Sequence, residues 1–339
     1  MSTFSLSDSN QGSQNIRLEI DYLLDTSATE KDDVVEAIAG LKSTPKSIPA
    51  RYFYDRRGSQ LFEQICELPE YYPTRTEASI LKKYASEIVS QTEAVELVEL
   101  GSGSSAKTRF ILDAYQASEK PLYYTPVDVS DSILKLSAKD LLVEYSQLKI
   151  QGKVATYAQA LEQLSTYSFG RRTIVFLGSS IGNFNPYEYD RFIDLLTTAL
   201  NPGDYFLLGI DLQKSPEILN AAYNDASGTT AAFNLNMLQH LNNRFESNFN
   251  LNLFRHQAIY NITRHQIEMY LVSQKAQSVT LDKLNLTINL DAGEAILTEI
   301  SRKFDLVQVE RYLGDRNLNL VQTYTDPQQW FGLLLCQMG

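Results

Sequence analysis

Four short clusters in this chain combine residue types that could hold a ligand or carry chemistry. The first is Glu99-Leu-Gly-Ser-Gly-Ser-Ser, with glycines at Gly101 and Gly103. Glycine lets a backbone turn tightly and approach a ligand closely, so a nucleoside could lie against this loop; an ordinary tight turn would use the same residues. The third glycine of the dinucleotide fingerprint is absent, because Ala106 stands there. That speaks against a pyrophosphate and leaves a nucleoside without phosphates compatible. The second is Asp128, whose carboxylate could accept both hydroxyls of a ribose or cap the segment that starts near Ser130. The third is Gly178-Ser-Ser-Ile-Gly-Asn183-Phe-Asn-Pro. An amide both donates and accepts, so Asn183 could bind a carboxylate and an amine at once; asparagine also simply favours turns. The fourth is Glu299-Ile-Ser301. Residues two apart share one face of a strand, so a carboxylate and a hydroxyl could engage one polar ring, or form a solvated surface pair.

Other chemistries lack their residues. The histidines, His240, His256 and His265, show no metal-ligand spacing, and no metal is expected. There is no G-x-S-x-G elbow and no P-loop, which leaves hydrolase and kinase readings without support.

The elements that must position these clusters alternate. Ala94–Leu100, Leu122–Val129, Leu148–Tyr157, Thr173–Leu177 and Tyr205–Leu212 read as strands; Ala106–Tyr115, Ser130–Tyr145 and Tyr187–Leu200 read as helices. Ser104 or Ser105 is the expected cap of the first helix, and Asn185-Pro186 opens the last. Apolar strands alternating with helices predict an α/β fold with a mostly parallel sheet covered on both faces. Such sheets bind ligands at the carboxyl ends of their strands. Residues 214–248 look helical, alternation in 256–273 predicts strands, and Ser278–Leu281 and Leu284–Leu290 are strand-like, so an α+β lobe is inserted before Phe304–Leu313 and Asn319–Met338 return to the sheet. The polar segment 1–16 reads as a flexible tail.

Composition narrows the partners. The 339 residues are 43% hydrophobic and 21% charged, as for a folded protein of one or two domains. A net charge of −11 without a Lys/Arg-rich run disfavours nucleic acid and anionic membrane. No apolar run approaches the ~20 residues of a membrane span. Cys66 and Cys336 lie in no C-x-x-C pair and read as buried free thiols, which suits a reducing cytoplasm.

One stretch is far more specific than these patterns. IPARYFYDRRGSQLFEQICELPEYYPTRTEASIL, followed in order by VELGSGSSAKTR, PVDVS, VFLGSSIGNFNP, LLGIDLQK, AAYNDASGTTAAFNLNML, IEMYL and ILTEISRKF, resembles the histidine-specific Nα-methyltransferases, which form hercynine in ergothioneine biosynthesis. The resemblance spans roughly Lys46 to the C-terminus. It implies a Rossmann-like class I methyltransferase core, 75–213 plus 304–339, and a substrate-binding lobe made of 17–74 plus 214–303, with the amino acid between them. S-adenosylmethionine is the implied methyl donor and L-histidine the substrate; a monomer is expected.

By motif position, Gly101, Gly103, Lys107 and Asp128 match cofactor contacts. Tyr54, Phe62, Tyr71, Asn183 and Tyr223 match contacts to the amino acid, and Glu299 and Ser301 match readers of the imidazole. Tyr54 and Asn183 are the expected catalytic pair, with Tyr54 acting as a base through water. In one place the chain departs from the family. Where an acidic residue usually follows the third strand, VATYAQALEQL has Thr156, leaving Tyr157 to pack on the adenine. The rival readings are methylation of tryptophan or tyrosine, a nicotinamide-dependent oxidoreductase, and an amino-acid-binding protein without turnover.

Overall fold

The computed structural model describes residues 3–7, 16–24, 26–119, 122–164 and 170–339. In chain order its elements begin with strands β1 (Thr3–Ser7) and β2 (Ile16–Tyr22), helix α1 (Thr26–Lys42), strand β3 (Lys46–Ser47), and helices α2 (Arg56–Cys66) and α3 (Pro73–Thr92). Then come β4 (Glu96–Leu100), α4 (Arg109–Ala117), β5 (Tyr123–Asp128), α5 (Asp131–Glu144), β6 (Lys149–Val154), α6 (Tyr157–Leu164), β7 (Arg172–Phe176), α7 (Pro186–Ala199) and β8 (Tyr205–Asp211). Helices α8 (Pro216–Tyr223) and α9 (Thr229–Phe245) lead to β9 (Phe254–Asn261), β10 (Gln266–Ser273), β11 (Gln277–Leu281), β12 (Leu286–Leu290) and β13 (Ala295–Arg302). The chain closes with α10 (Leu306–Gly314), β14 (Leu318–Thr325) and β15 (Phe331–Met338).

The chain divides into two compact units. The first comprises Met1–Leu24, Thr76–Leu212 and Phe304–Gly339. Its nine-stranded sheet has the order β1-β2-β6-β5-β4-β7-β8-β15-β14. Every pair from β2 to β8 is parallel, while β1, β15 and β14 join antiparallel. Side-chain alternation explains the two-sided covering. On β8, Tyr205 and Leu207 enter one core with α3, α4 and α5, whereas Phe206, Leu208 and Ile210 enter another with α6, α7 and α10. Strand order reverses at β4, so the loops after β4 and β7 diverge at the carboxyl edge, where open α/β sheets bind ligands.

Several expectations need correction here. The third strand ends at Val154, not Tyr157, and Tyr157 opens α6, a helix that period reading missed. The helix after the glycine loop starts at Arg109; its cap is Thr108, without a side-chain cap bond, not Ser104 or Ser105. The supposed tail contains β1, and residues 17–24, expected with the substrate lobe, belong to the first unit. The cause is pairing: β2 joins β6 in parallel, with Leu18 and Ile20 buried.

The second unit comprises Asp25–Arg75 and Gln213–Lys303. It holds the sheet β3-β13-β10-β9 and the hairpin β11-β12. Helix α9 packs on α2 and β9. Strand β13 carries a bulge: Met269 faces Glu299 and Tyr270 faces Leu297, leaving Thr298 extra. Burial shifts phase there, from Ile296 and Thr298 before it to Ser301 and Lys303 after it.

Candidate active site

The loop after β4 is held by the main chain and by Asp128. The N–H groups of Gly101 and Ser102 donate to Val127 O at 2.8 and 3.0 Å. Gly103 N donates to Asp128 Oδ2 at 2.8 Å, and Ser130 N donates to Oδ1 at 2.9 Å. Thus Asp128 braces both the glycine turn and the entry to α5, and each oxygen keeps a further lone pair. Burial raises its carboxyl above the usual range, against the backbone bonds that favour the ionised form. Gly101 has φ +71°, and a Cβ there would stand 2.9 Å from Tyr157 Oη. Only glycine meets both demands. The Ser102 hydroxyl is buried without a hydrogen-bond partner among the described residues.

Beneath this loop lies a buried polar network the sequence did not announce. Thr108 and Tyr124 donate to the two carboxyl oxygens of Glu99, while Ser105 and Tyr124 share a 2.9 Å bond. Since Tyr124 spends its proton on Glu99, Ser105 donates to Tyr124. Desolvation brings the Glu99 carboxyl up to about 7, despite those hydrogen bonds.

Lys107 is ion-paired with the fully buried Glu77 of α3. Glu77 also accepts from Gly178 N at 2.8 and 3.0 Å, so one carboxylate joins the loops after β4 and β7. The second loop continues through Ser179, at a left-handed φ of 54°, whose hydroxyl accepts from Asp211 N at 2.9 Å. A short 3-10 turn then presents Asn183, half-buried and free of hydrogen bonds among the described residues. Asn185 caps α7 with a capping box, its side chain taking Glu188 N at 3.0 Å.

Thr156 has a local role. Its hydroxyl accepts from Gln159 N at 3.3 Å while Gln159 Oε1 takes Thr156 N at 3.0 Å, the reciprocal pattern of a capping box on α6. This aims Tyr157 back over Gly101, with its ring 5.1 Å from that of Phe176. Desolvation and the nearby Asp128 raise its phenol far above the usual range.

The other expected residues, apart from Asn183, sit in the second unit. Tyr54 is 49% exposed and sets its ring edge-on to Phe62 at 5.9 Å. Phe62 reaches Tyr71 at 6.4 Å, and Tyr71 reaches Tyr223 at 6.0 Å. Phe233 of α9 closes the chain of rings, 6.0 Å from both Tyr54 and Phe62. Desolvation raises the Tyr71 phenol well above its ordinary value; the charges of Tyr223, Cys66, Glu299 and Tyr54 add to it. Glu299 is thus electrostatically coupled to this aromatic wall. Its carboxyl has no hydrogen bond among the described residues, and desolvation raises it to about 7 against the opposing charge of Lys303. Tyr223 Oη donates to Ser301 Oγ at 2.9 Å.

Sequence reasoning missed four contributors: Glu77, Phe233, His256 and Lys303. Lys303 is 3% exposed and donates to Ser301 Oγ at 2.8 Å and Tyr223 Oη at 3.0 Å. Its signal was the same two-residue alternation, carried one step past Ser301. His256 places its Nε2 2.9 Å from the Tyr223 carbonyl and its Nδ1 2.9 Å from Asn234 Nδ2. The carbonyl can only accept, so Nε2 carries the proton and Nδ1 accepts. Among the described residues no cluster could hold a metal. Neither thiol is in a disulfide, but Cys66, expected buried, is half-buried and accepts from Thr74 Oγ1 at 3.3 Å.

Comparison with known proteins is consistent across the chain. The profile of the family described as histidine-specific methyltransferase, SAM-dependent, matches residues 32–338. The chain is 42% identical over 309 residues to the histidine N-alpha-methyltransferase of Mycolicibacterium smegmatis, covering 90% of this chain and 96% of that protein. Its identity to the Mycobacterium tuberculosis protein of the same name is 42% over 300 residues, 88% and 93% of the two chains. It is also 35% identical over 204 residues to ergothioneine biosynthesis protein 1 of Neurospora crassa, 59% of this chain and 23% of that longer protein.

Proposed function

The chain belongs to the family of histidine-specific, S-adenosylmethionine-dependent methyltransferases, and from that premise we propose that it methylates the α-amino nitrogen of L-histidine three times, giving hercynine for ergothioneine synthesis. The observation that carries the reading of substrate is the pairing of a half-buried, otherwise unbonded Glu299 carboxyl with the Ser301 hydroxyl beside the wall of Tyr54, Phe62, Tyr71 and Tyr223.

S-adenosylmethionine, when bound, supplies an electrophilic methyl group on a sulfonium sulfur. The residues present fit it: an orphaned Ser102 hydroxyl, a turn that admits no Cβ, and spare lone pairs on Asp128. In this reading Asp128 accepts the ribose hydroxyls, the Gly101–Gly103 turn gives close approach, Tyr157 packs on the base, and Lys107 takes a carboxylate. Thr156 keeps its capping role in place of the acidic residue.

The nucleophile must be a free amine, because an ammonium has no lone pair. A drier pocket disfavours the ammonium form. Tyr71, its proton held tightly, serves as a hydrogen-bond donor rather than a base. Tyr54 is half-exposed, so water can carry the proton away from it. Asn183, with both halves of its amide unspent, orients the amino and carboxylate groups. Positioning of nitrogen and methyl supplies much of the rate, and effective molarities for well-oriented partners reach ~10⁵–10⁸ M. The rings of Tyr54, Phe62 and Tyr223 accept the methylated ammonium groups by cation–π contact.

The same reading takes the chain as a cytoplasmic monomer that engages neither nucleic acid nor membrane. Its charge of −11 disfavours anionic partners such as nucleic acid; separately, no helix among the described residues is long and apolar enough to cross a membrane. Light scattering on a sizing column tests the monomer.

The deciding experiment incubates the purified protein with S-adenosylmethionine and each standard amino acid in turn, with mass spectrometry of the products. Histidine gaining three methyl groups is expected. Preferential methylation of tryptophan or tyrosine would overturn the substrate.

A further inference from the structure

We propose that Lys303 is a positioning residue that sets the polarity of the ring-reading pocket by committing the Ser301 hydroxyl to donate. The proposal rests on histidine being the substrate. Its basis is a buried triangle: Lys303 Nζ lies 2.8 Å from Ser301 Oγ and 3.0 Å from Tyr223 Oη, and Tyr223 Oη donates to Ser301 Oγ at 2.9 Å. Lys303, Ser301 and Tyr223 are 3%, 5% and 6% exposed, so water does not substitute for these partners.

Counting protons and lone pairs fixes the outcome. An ammonium can only donate, and a serine oxygen has two lone pairs. Lys303 takes one and Tyr223 the other. The serine proton has no acceptor among the described residues, so the hydroxyl is left able only to donate to something else. Two residues earlier on the same strand, the Glu299 carboxyl also lacks a hydrogen bond among the described residues; desolvation raises it to about 7 against the charge of Lys303, so above that pH it is ionised and able only to accept. The pocket therefore offers one donor and one acceptor. A neutral imidazole has the complementary pair, one ring N–H and one ring lone pair. Remove the ammonium and a serine lone pair returns; the hydroxyl could then turn to accept, and the distinction between a ring nitrogen that accepts and one that donates is lost.

The test compares histidine with β-(2-thienyl)alanine, which is similar in size and has neither ring N–H nor ring-nitrogen lone pair. Competition against S-adenosylmethionine-dependent turnover gives relative affinities for wild type, Lys303→Met, Ser301→Ala and the double variant. In Lys303→Met, KM for histidine should rise about 10- to 100-fold, the worth of a charge-assisted hydrogen bond. The affinity for thienylalanine, cofactor affinity by calorimetry, and kcat should each move less than threefold. The double variant should be no worse than Ser301→Ala, because Lys303 acts through that hydroxyl, and Lys303→Arg should restore part of the preference.

Equal losses for both amino acids, or independent losses in the double variant, overturn the proposal. If Lys303→Met does not fold, Lys303→Gln carries the test: it is expected to lower the histidine-to-thienylalanine ratio at least fivefold, and an unchanged ratio overturns it. Wild type that methylates histidine while the Lys303 variants keep the ratio sinks the role of Lys303 and leaves the substrate standing. Wild type that leaves histidine untouched sinks both.

Discussion

Glu299 and the imidazole it is proposed to bind titrate in the same pH range. Desolvation lifts the free carboxyl to about 7, with Lys303 pulling the other way, and an unperturbed histidine ring titrates near ~6.5. Binding needs the carboxylate ionised and the ring neutral, so histidine affinity should climb from pH 6 to pH 8. Each group contributes at most about tenfold per unit below its pKa. In Glu299→Gln the slope should fall by one proton while cofactor affinity holds; calorimetry at four pH values reads this, and identical slopes would count against the ionised role. The raised pKa also bears on stability. Between about 4.5 and 7 the folded chain keeps a proton the unfolded chain has lost, so this group's contribution to stability declines as pH rises through that window.

At the scale of elements, single capping residues hold the segments that carry the site. Asp225 receives the N–H groups of Thr229 and Thr230, each at 2.8 Å, at the start of α9, the helix that brings Phe233 to the ring cluster. Burial opposes its charge, but these bonds and those of the Ser227 and Thr230 side chains outweigh burial and hold it at about 2. A depressed carboxyl stabilises the fold above its unfolded pKa and loses that effect as pH falls through the folded value. Wild type should therefore lose this increment between pH 4 and pH 2. Asp225→Ala should cost ~1 kcal/mol or more at pH 7 by urea unfolding, with a smaller loss on acidification. Asn185→Ala at the start of α7 should cost ~1 kcal/mol by the same measurement; no change in midpoint would deny the capping box its role. The bulge at Thr298 acts on the same scale. A strand has period two, so one extra residue exchanges the faces, and it is after this residue that Ser301 and Lys303 become the buried positions.

For the molecule as a whole, the N-terminal residues are part of the first unit's sheet. Leu18 and Ile20 are 1% and 0% exposed, Arg17 donates to Leu142, Tyr145 and Leu148 carbonyls, and Lys153 meets Asp21 at 3.2 Å. Removing residues 1–24 strips two strands and leaves β6 as a bare edge. The two apolar side chains alone are worth ~1.5–3 kcal/mol each. The truncated protein should melt several degrees lower and aggregate sooner in a thermal scan, whereas an unchanged melting temperature would show the segment to be dispensable.

What the sequence determined by itself was local or repetitive. Continuous apolar runs such as TIVFL and YFLLGIDL dictated buried parallel strands, because only a sheet covered on both faces can hide them. Asn185-Pro186 marked a helix start because a cap and a fixed φ act within one turn. The order of motifs carried the family. Tertiary structure decided what depends on pairing between distant segments. No strand is predicted from the sequence in residues 16–22, and that β2 lies beside β6 follows from long-range register. The ion pair of Glu77 with Lys107 spans thirty positions, and the three hydroxyl and ammonium groups of Tyr223, Ser301 and Lys303 meet only because α8 ends against the bulged strand. Hydrogen bonds act over about 3 Å in space, and nothing in the one-dimensional spacing of those residues states that distance.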